Sequence, residues 1–148
     1  MSADIASAKT EEAKRILIVD DDPDAAAFLT RLLESRGYRT WTLNDPLEAV
    51  AACSTVKPHL VILDFDMPGL LGSELCVQLK STGGLARIPV VFVSGMTGES
   101  FREIASFTGA VAYLDKPVDS AKLLETVGTL TAFPSVDERP GASRERRS

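Results

Sequence analysis

A chain of 148 residues, 45% hydrophobic and 25% charged, has the length of one domain and enough apolar side chains for one core, which excludes disordered, fibrous and solenoid designs. Sixteen Lys and Arg against 21 Asp and Glu, a formal charge of −5, are a poor basis for direct binding to nucleic acid. The opening residues carry Asp4, Lys9, Glu11, Glu12 and Lys14 with no apolar block, so neither a signal peptide nor a membrane span is expected, and a cytoplasmic location follows.

In chain order, Arg15 to Asp20 (RILIVD) is a short continuous apolar run of the kind found in a strand covered on both faces. Asp22 then caps a predicted helix with Pro23 in its first turn, Phe28, Leu29, Leu32 and Leu33 recur at helical spacing, and Gly37 ends it. Tyr38 to Leu43 reads as a second strand, and Asp45-Pro46-Leu47-Glu48 resembles a capping box opening a second helix. His59 to Asp64 (HLVILD) is a third strand, followed by a Met-Pro-Gly loop and a helix from about Gly72 to Lys80 with Leu75 and Leu79 on one face. Ile88 to Val93 predicts a fourth strand, Thr97 to Phe107 a helix, Ala110 to Leu114 a fifth strand, and Ser120 to Leu130 a last helix behind an Asp119 cap. Cys53 and Cys76 fall inside helices with no Cys or His at metal-ligand spacing and are read as packed free thiols.

Five βα units imply an α/β fold, a doubly wound five-stranded parallel sheet with helices on both faces. The expected organisation is a flexible segment at 1–13, one domain at 14–131 and a disordered tail at 132–148. That tail is rich in Pro, Ser and Arg, and its arginines are read as a solvated terminus.

Ligands of an open parallel sheet bind beyond the carboxyl ends of its strands. There the sequence places Asp20, Asp21 and Asp22, then Asp64 and Asp66, then Ser94, then Asp115 and Lys116-Pro117. Facing carboxylates repel, and an oxygen-only set favours a hard cation, so Mg²⁺ is the expected metal, with Mn²⁺ as substitute. A carboxylate beside such a cation can attack phosphorus while a lysine neutralises the transferring oxygens, and Lys116 and Ser94 are placed to assist. Asp22 is read as a helix cap, Asp24 and Asp115 as solvated, and His59 as remote from this edge.

The texts RILIVDDDPD, HLVILDFDMPG, PVVFVSG and AYLDKPV resemble the receiver domains of bacterial two-component response regulators, over about residues 14 to 130. The spacing agrees: 43 residues from Asp21 to Asp64, 30 from Asp64 to Ser94, and 22 from Ser94 to Lys116. The resemblance implies a flavodoxin-like fold and a signalling switch rather than an enzyme. By it, Asp64 is the phosphoacceptor; Asp20, Asp21, Asp64 and the Asp66 backbone carbonyl hold Mg²⁺; Lys116 binds the phosphoryl group; and the Lys116-Pro117 bond is cis. Ser94 is then the switch hydroxyl and Tyr113 the aromatic that turns inward, reshaping the face formed by the helix near 97–107, the fifth strand and the last helix. A histidine kinase or histidine phosphotransfer protein is the implied donor and an unknown protein the implied target, with the same face a candidate homodimer surface. Gly95 departs from the more usual alanine, and Asp66 and Met96 occupy variable positions that tune phosphate loss.

Two alternatives remain open at this level. Asp64-Phe65-Asp66 also resembles the nucleophile motif of haloacid-dehalogenase-type phosphatases, although Pro68 departs from it and no cap domain fits. A receiver-like module that is never phosphorylated, or a flavin binder, is the other; the flavin lacks a glycine-rich phosphate loop. The eighteen residues after Leu130 are too few for an output domain, so action by contact is expected.

Overall fold

The structure is a computed structural model that describes residues 13–66, 72–95, 102–103 and 106–137. Strand β1 (Arg15–Val19) leads to helix α1 (Pro23–Glu34) and strand β2 (Arg39–Leu43); a 3-10 turn (Pro46–Glu48) opens helix α2 (Ala49–Val56). Strand β3 (Leu60–Asp64), helix α3 (Gly72–Ser81), strands β4 (Val90–Ser94) and β5 (Ala112–Asp115), and helix α4 (Ser120–Asp137) follow. The expected helix at 97–107 lies largely outside the described residues, of which 102, 103 and 106 are helical.

The strands form one parallel sheet in the order β2-β1-β3-β4-β5. β1, β3 and β4 are near-continuous apolar runs because both faces are covered, whereas the edge strands β2 (RTWTL) and β5 (AYLD) are only partly buried; successive side chains serve opposite layers. Leu17, Val19, Val61, Leu63, Val90 and Phe92 point to the layer closed by Ala49 and Cys53 of α2 and Leu75, Cys76 and Leu79 of α3. Ile16, Ile18, Leu60, Ile62, Val91 and Val93 point to the opposite layer, closed by Ala26, Leu29 and Leu33 of α1 and Leu123 and Val127 of α4. Each buried Val, Leu, Ile or Phe side chain among them stabilises the fold by about 1.5–3 kcal/mol relative to exposure. This core holds the strand ends in fixed register.

The helix boundaries follow local chemistry. The Asp22 carboxylate accepts from the Asp24 N–H at 3.0 Å with Pro23 opening α1, and Gly37 takes a left-handed φ of 93° after it. The Asp45 side chain accepts from the Leu47 N–H at 3.0 Å, but this bond starts the 3-10 turn instead of a continuous helix, so α2 begins three residues later than the capping pattern suggests. The last helix also differs. It runs through Pro134 to Asp137 instead of stopping near Leu130, because Thr131 extends the buried series Leu123 and Val127 and bonds back to the Val127 carbonyl at 2.8 Å. The remaining tail, 138–148, lies outside the described residues.

Lys57 ends α2 at a left-handed φ of 53°, its N–H donating to the Cys53 carbonyl at 2.9 Å. A side chain in that conformation costs roughly 1 kcal/mol, so Lys57→Gly is expected to raise the unfolding free energy by about 0.5 kcal/mol, part of the gain being lost to unfolded-state entropy. Urea denaturation checks this, and a clear loss of stability contradicts it.

Candidate functional site

The sheet register places the ends of β1, β3, β4 and β5 along one edge, with Val19 beside Leu63, Asp64 beside Val93, and Ser94 beside Asp115. The winding direction reverses between β1 and β3, where an open parallel sheet leaves a crevice. Asp20 leaves β1 with its N–H still paired to the Leu43 carbonyl at 2.9 Å, and its carboxylate folds back to accept from the Asp22 N–H at 2.9 Å. Asp64 makes the same turn at the end of β3, accepting from the Asp66 N–H at 2.9 Å. Both carboxylates are thereby aimed into the crevice while almost fully buried, Asp20 at 3% and Asp64 at 4% exposure.

Asp20, Asp21 and Asp64 bring carboxylate oxygens within 4.8 Å of one another. Burial, reinforced by the Asp64 charge and only partly offset by the Asp22 amide, pushes the Asp20 carboxyl up to about 6. From β5, Lys116 reaches across, its Nζ 3.1 Å from Asp64 Oδ1. The Lys116-Pro117 peptide is cis, and the Lys116 N–H continues the ladder to the Ser94 carbonyl at 2.8 Å. Burial pulls the ammonium's pKa down, but the Asp64 bond and the charges of Asp64, Asp20 and Asp66 outweigh it, so the pKa is raised and the group is charged at neutral pH. Three carboxylates against one ammonium leave the cluster anionic, and its donors are all oxygens. That set suits a hard divalent cation such as Mg²⁺ and offers nothing to a thiolate- or imidazole-seeking metal.

Ser94 is fully buried at the end of β4. Its Oγ donates to Asp66 Oδ1 at 2.7 Å, and the Gly95 N–H donates to Asp66 Oδ2 at 2.8 Å. The Asp66 side chain thus ties the end of β3 to the end of β4, a contact not foreseen by the sequence, which placed this carboxylate at the binding edge as a carbonyl ligand and a position tuning phosphate loss. Tyr113 on β5 is half-buried, with the Arg102 guanidinium 5.9 Å from its ring centre. Asp24 and Asp115 are exposed, and His59 stands at the opposite end of the sheet, where its Nδ1 accepts from the Arg15 N–H at 2.9 Å. Met96 lies outside the described residues. Beside the site, a groove of about 470 Å³ runs between α1 and the Lys116-Pro117 turn, lined by Phe28, Leu29, Val93 and Val118 among others.

The sequence model of the response regulator receiver domain matches residues 16–128. The Pseudomonas aeruginosa protein PilH is 36% identical over 118 residues, covering 80% of this chain and 98% of PilH. The DNA-binding response regulator MtrA of Mycolicibacterium smegmatis is 33% identical over 114 residues, which span 77% of this chain and 49% of MtrA. Among solved structures, the signal receiver domain of a Syntrophus aciditrophicus signal transduction histidine kinase superposes with a TM-score of 0.75 at 33% identity, covering 81% of this chain and 91% of that one. The chain belongs to the response regulator receiver domain family and has its five-stranded parallel fold. Among the described residues, no helix is long and apolar enough to cross a membrane.

The raised Asp20 pKa sets a sign for stability. Between its ordinary value of 3.8 and about 6, the unfolded chain ionises first, so stability falls as pH rises through that window and stays reduced above it. Asp20→Asn keeps an oxygen for the Asp22 amide and removes the charge. Without divalent cations at pH 8 it is expected to be more stable than wild type by up to about 3 kcal/mol, an advantage that fades toward pH 4. Urea unfolding at the two pH values checks this, and an advantage that grows on acidification contradicts it.

Proposed function

We propose that this domain is a phosphorylation-activated switch in which Asp64 accepts a phosphoryl group from the phosphohistidine of a histidine kinase or phosphotransfer protein. One observation carries this reading: a buried carboxylate, Asp64, holds an ammonium at 3.1 Å within an all-oxygen anionic cluster. Asp20, Asp21, Asp64 and the Asp66 carbonyl would hold Mg²⁺, which when bound supplies positive charge for the phosphoryl oxygens; Mn²⁺ would substitute.

The chain's own residues do the remaining work. Lys116 and the Asp66 N–H hold Asp64 Oδ1, which orients the carboxylate for attack through its other oxygen. The new O–P bond forms as the donor's N–P bond breaks, the bonding pair returns to the imidazole nitrogen, and that nitrogen takes a proton from solvent. The Lys116 ammonium neutralises charge on the transferring group. The groove between α1 and the Lys116-Pro117 turn, which reaches Asp20 and Lys116, would give an imidazole-bearing partner an apolar seat beside the site. The Ser94 hydroxyl then turns to the phosphoryl oxygens and Tyr113 moves inward, changing the surface of β5, α4 and the segment before β5 that a downstream protein, or a second copy, reads. The output is contact and not turnover, and the expected setting is cytoplasmic.

Incubation with acetyl phosphate and Mg²⁺ tests this. Wild type is expected to take up acid-labile phosphate at no more than one group per chain, Asp64→Asn none, and Lys116→Ala to form it slower by on the order of 10²-fold. Equal labelling of Asp64→Asn contradicts the assignment, and steady hydrolysis of a phosphate monoester would instead identify a phosphatase.

A further inference from the structure

We propose that the Asp66 carboxylate is a built-in stand-in for the phosphoryl group, occupying at rest the two donors at the end of β4 that a phosphorylated Asp64 must recruit. This rests on the phosphoacceptor reading of Asp64 and adds a regulator to it. The two bonds are short and fall on separate oxygens: Ser94 Oγ to Oδ1 at 2.7 Å, and the Gly95 N–H to Oδ2 at 2.8 Å. Such a two-pronged, charge-assisted grip is stronger than a neutral hydrogen bond and fixes direction as well as distance.

Each donor has one proton to give in this grip. A phosphoryl group on Asp64 adds close to two negative charges and three acceptor oxygens at the same strand edge. Phosphorylation therefore becomes an exchange: the Ser94 hydroxyl and the Gly95 amide pass from a carboxylate to a phosphoryl oxygen, and the displaced Asp66 is left beside a group of like charge. Asp66 lies two residues past Asp64, and its N–H remains bonded to Asp64 Oδ1, so the clasp and the phosphoacceptor share one turn. Its charge also helps hold Lys116 protonated. The consequence is a two-state end of β4, closed on Asp66 at rest and on phosphate when active, with Asp66 setting the balance between them.

The test is an amide NMR titration of the full chain with beryllofluoride and Mg²⁺, comparing wild type, Asp66→Ala and Asp66→Asn. Asp66 is exposed, so both variants should fold, and unchanged dispersion of the remaining amide peaks shows it. Without ligand, the Gly95 amide should be exchange-protected in wild type, lose protection in Asp66→Ala, and regain it when beryllofluoride binds. The apparent beryllofluoride affinity should tighten by about tenfold in Asp66→Ala and by less in Asp66→Asn, which keeps one acceptor oxygen. Unchanged or weaker binding in Asp66→Ala, or a Gly95 amide indifferent to that variant, overturns the clasp while leaving the phosphoacceptor reading intact. Absence of beryllofluoride binding by wild type overturns both.

Discussion

Carboxylates with oxygens within 4.8 Å of one another repel, and the rest of this molecule is arranged so that they stay there. The repulsion is visible in the Asp20 carboxyl, pushed up to about 6 by burial and by Asp64. It is tolerated because the backbone turn at each strand end donates an N–H to its own carboxylate, Asp22 to Asp20 and Asp66 to Asp64, and because Lys116 contributes a counter-charge from a third strand. A site assembled this way is short of positive charge and ready to take more of it. On the proposed reading, that deficit would favour a hard cation and, with the cation present, would let one aspartate accept an anionic group.

Rigidity comes from the sheet. The strands that carry Asp20, Asp64 and Ser94 are buried on both faces and paired in parallel register with β1, β3 and β4 adjacent. That pairing fixes where the strands end, and Asp66 and Gly95 stand just beyond those ends and are exposed. There Ser94, the last residue of β4, and Gly95 just beyond it hold the Asp66 carboxylate, and Tyr113 sits one strand over with the Arg102 guanidinium 5.9 Å from its ring centre. On the proposed reading, a fixed charged floor and a polar clasp beside it would let a local chemical event reach the surface.

Much of this is written in the residue order. RILIV, HLVILD and PVVFV are legible as strands because a parallel sheet demands apolar side chains on both faces, and the observed strands start and stop within two residues of those runs. Asp20, Asp64 and Lys116 are legible for the same reason: they stand where an apolar run ends, which in this topology is the binding edge. The Asp66 clasp is not, since a carboxylate two residues beyond a strand can turn to solvent, to the metal or to a neighbouring loop, and only the packing of β3 against β4 selects the last. The 3-10 turn at Pro46–Glu48 and the passage of α4 through Pro134 escape for a similar reason. Short-range signals name a cap or a stop, and tertiary packing overrides them.

If one edge of the sheet gathers these charges into a single cation-ready site, substoichiometric Mn²⁺ added to the ¹⁵N-labelled protein will locate it. Paramagnetic broadening is predicted to be confined to amides around 20–22, 64–66, 94–95 and 116, and to be reversed by excess Mg²⁺. Broadening centred at the opposite end of the sheet, near His59 and Arg15, or none at the 20–22 and 64–66 turns, would contradict it.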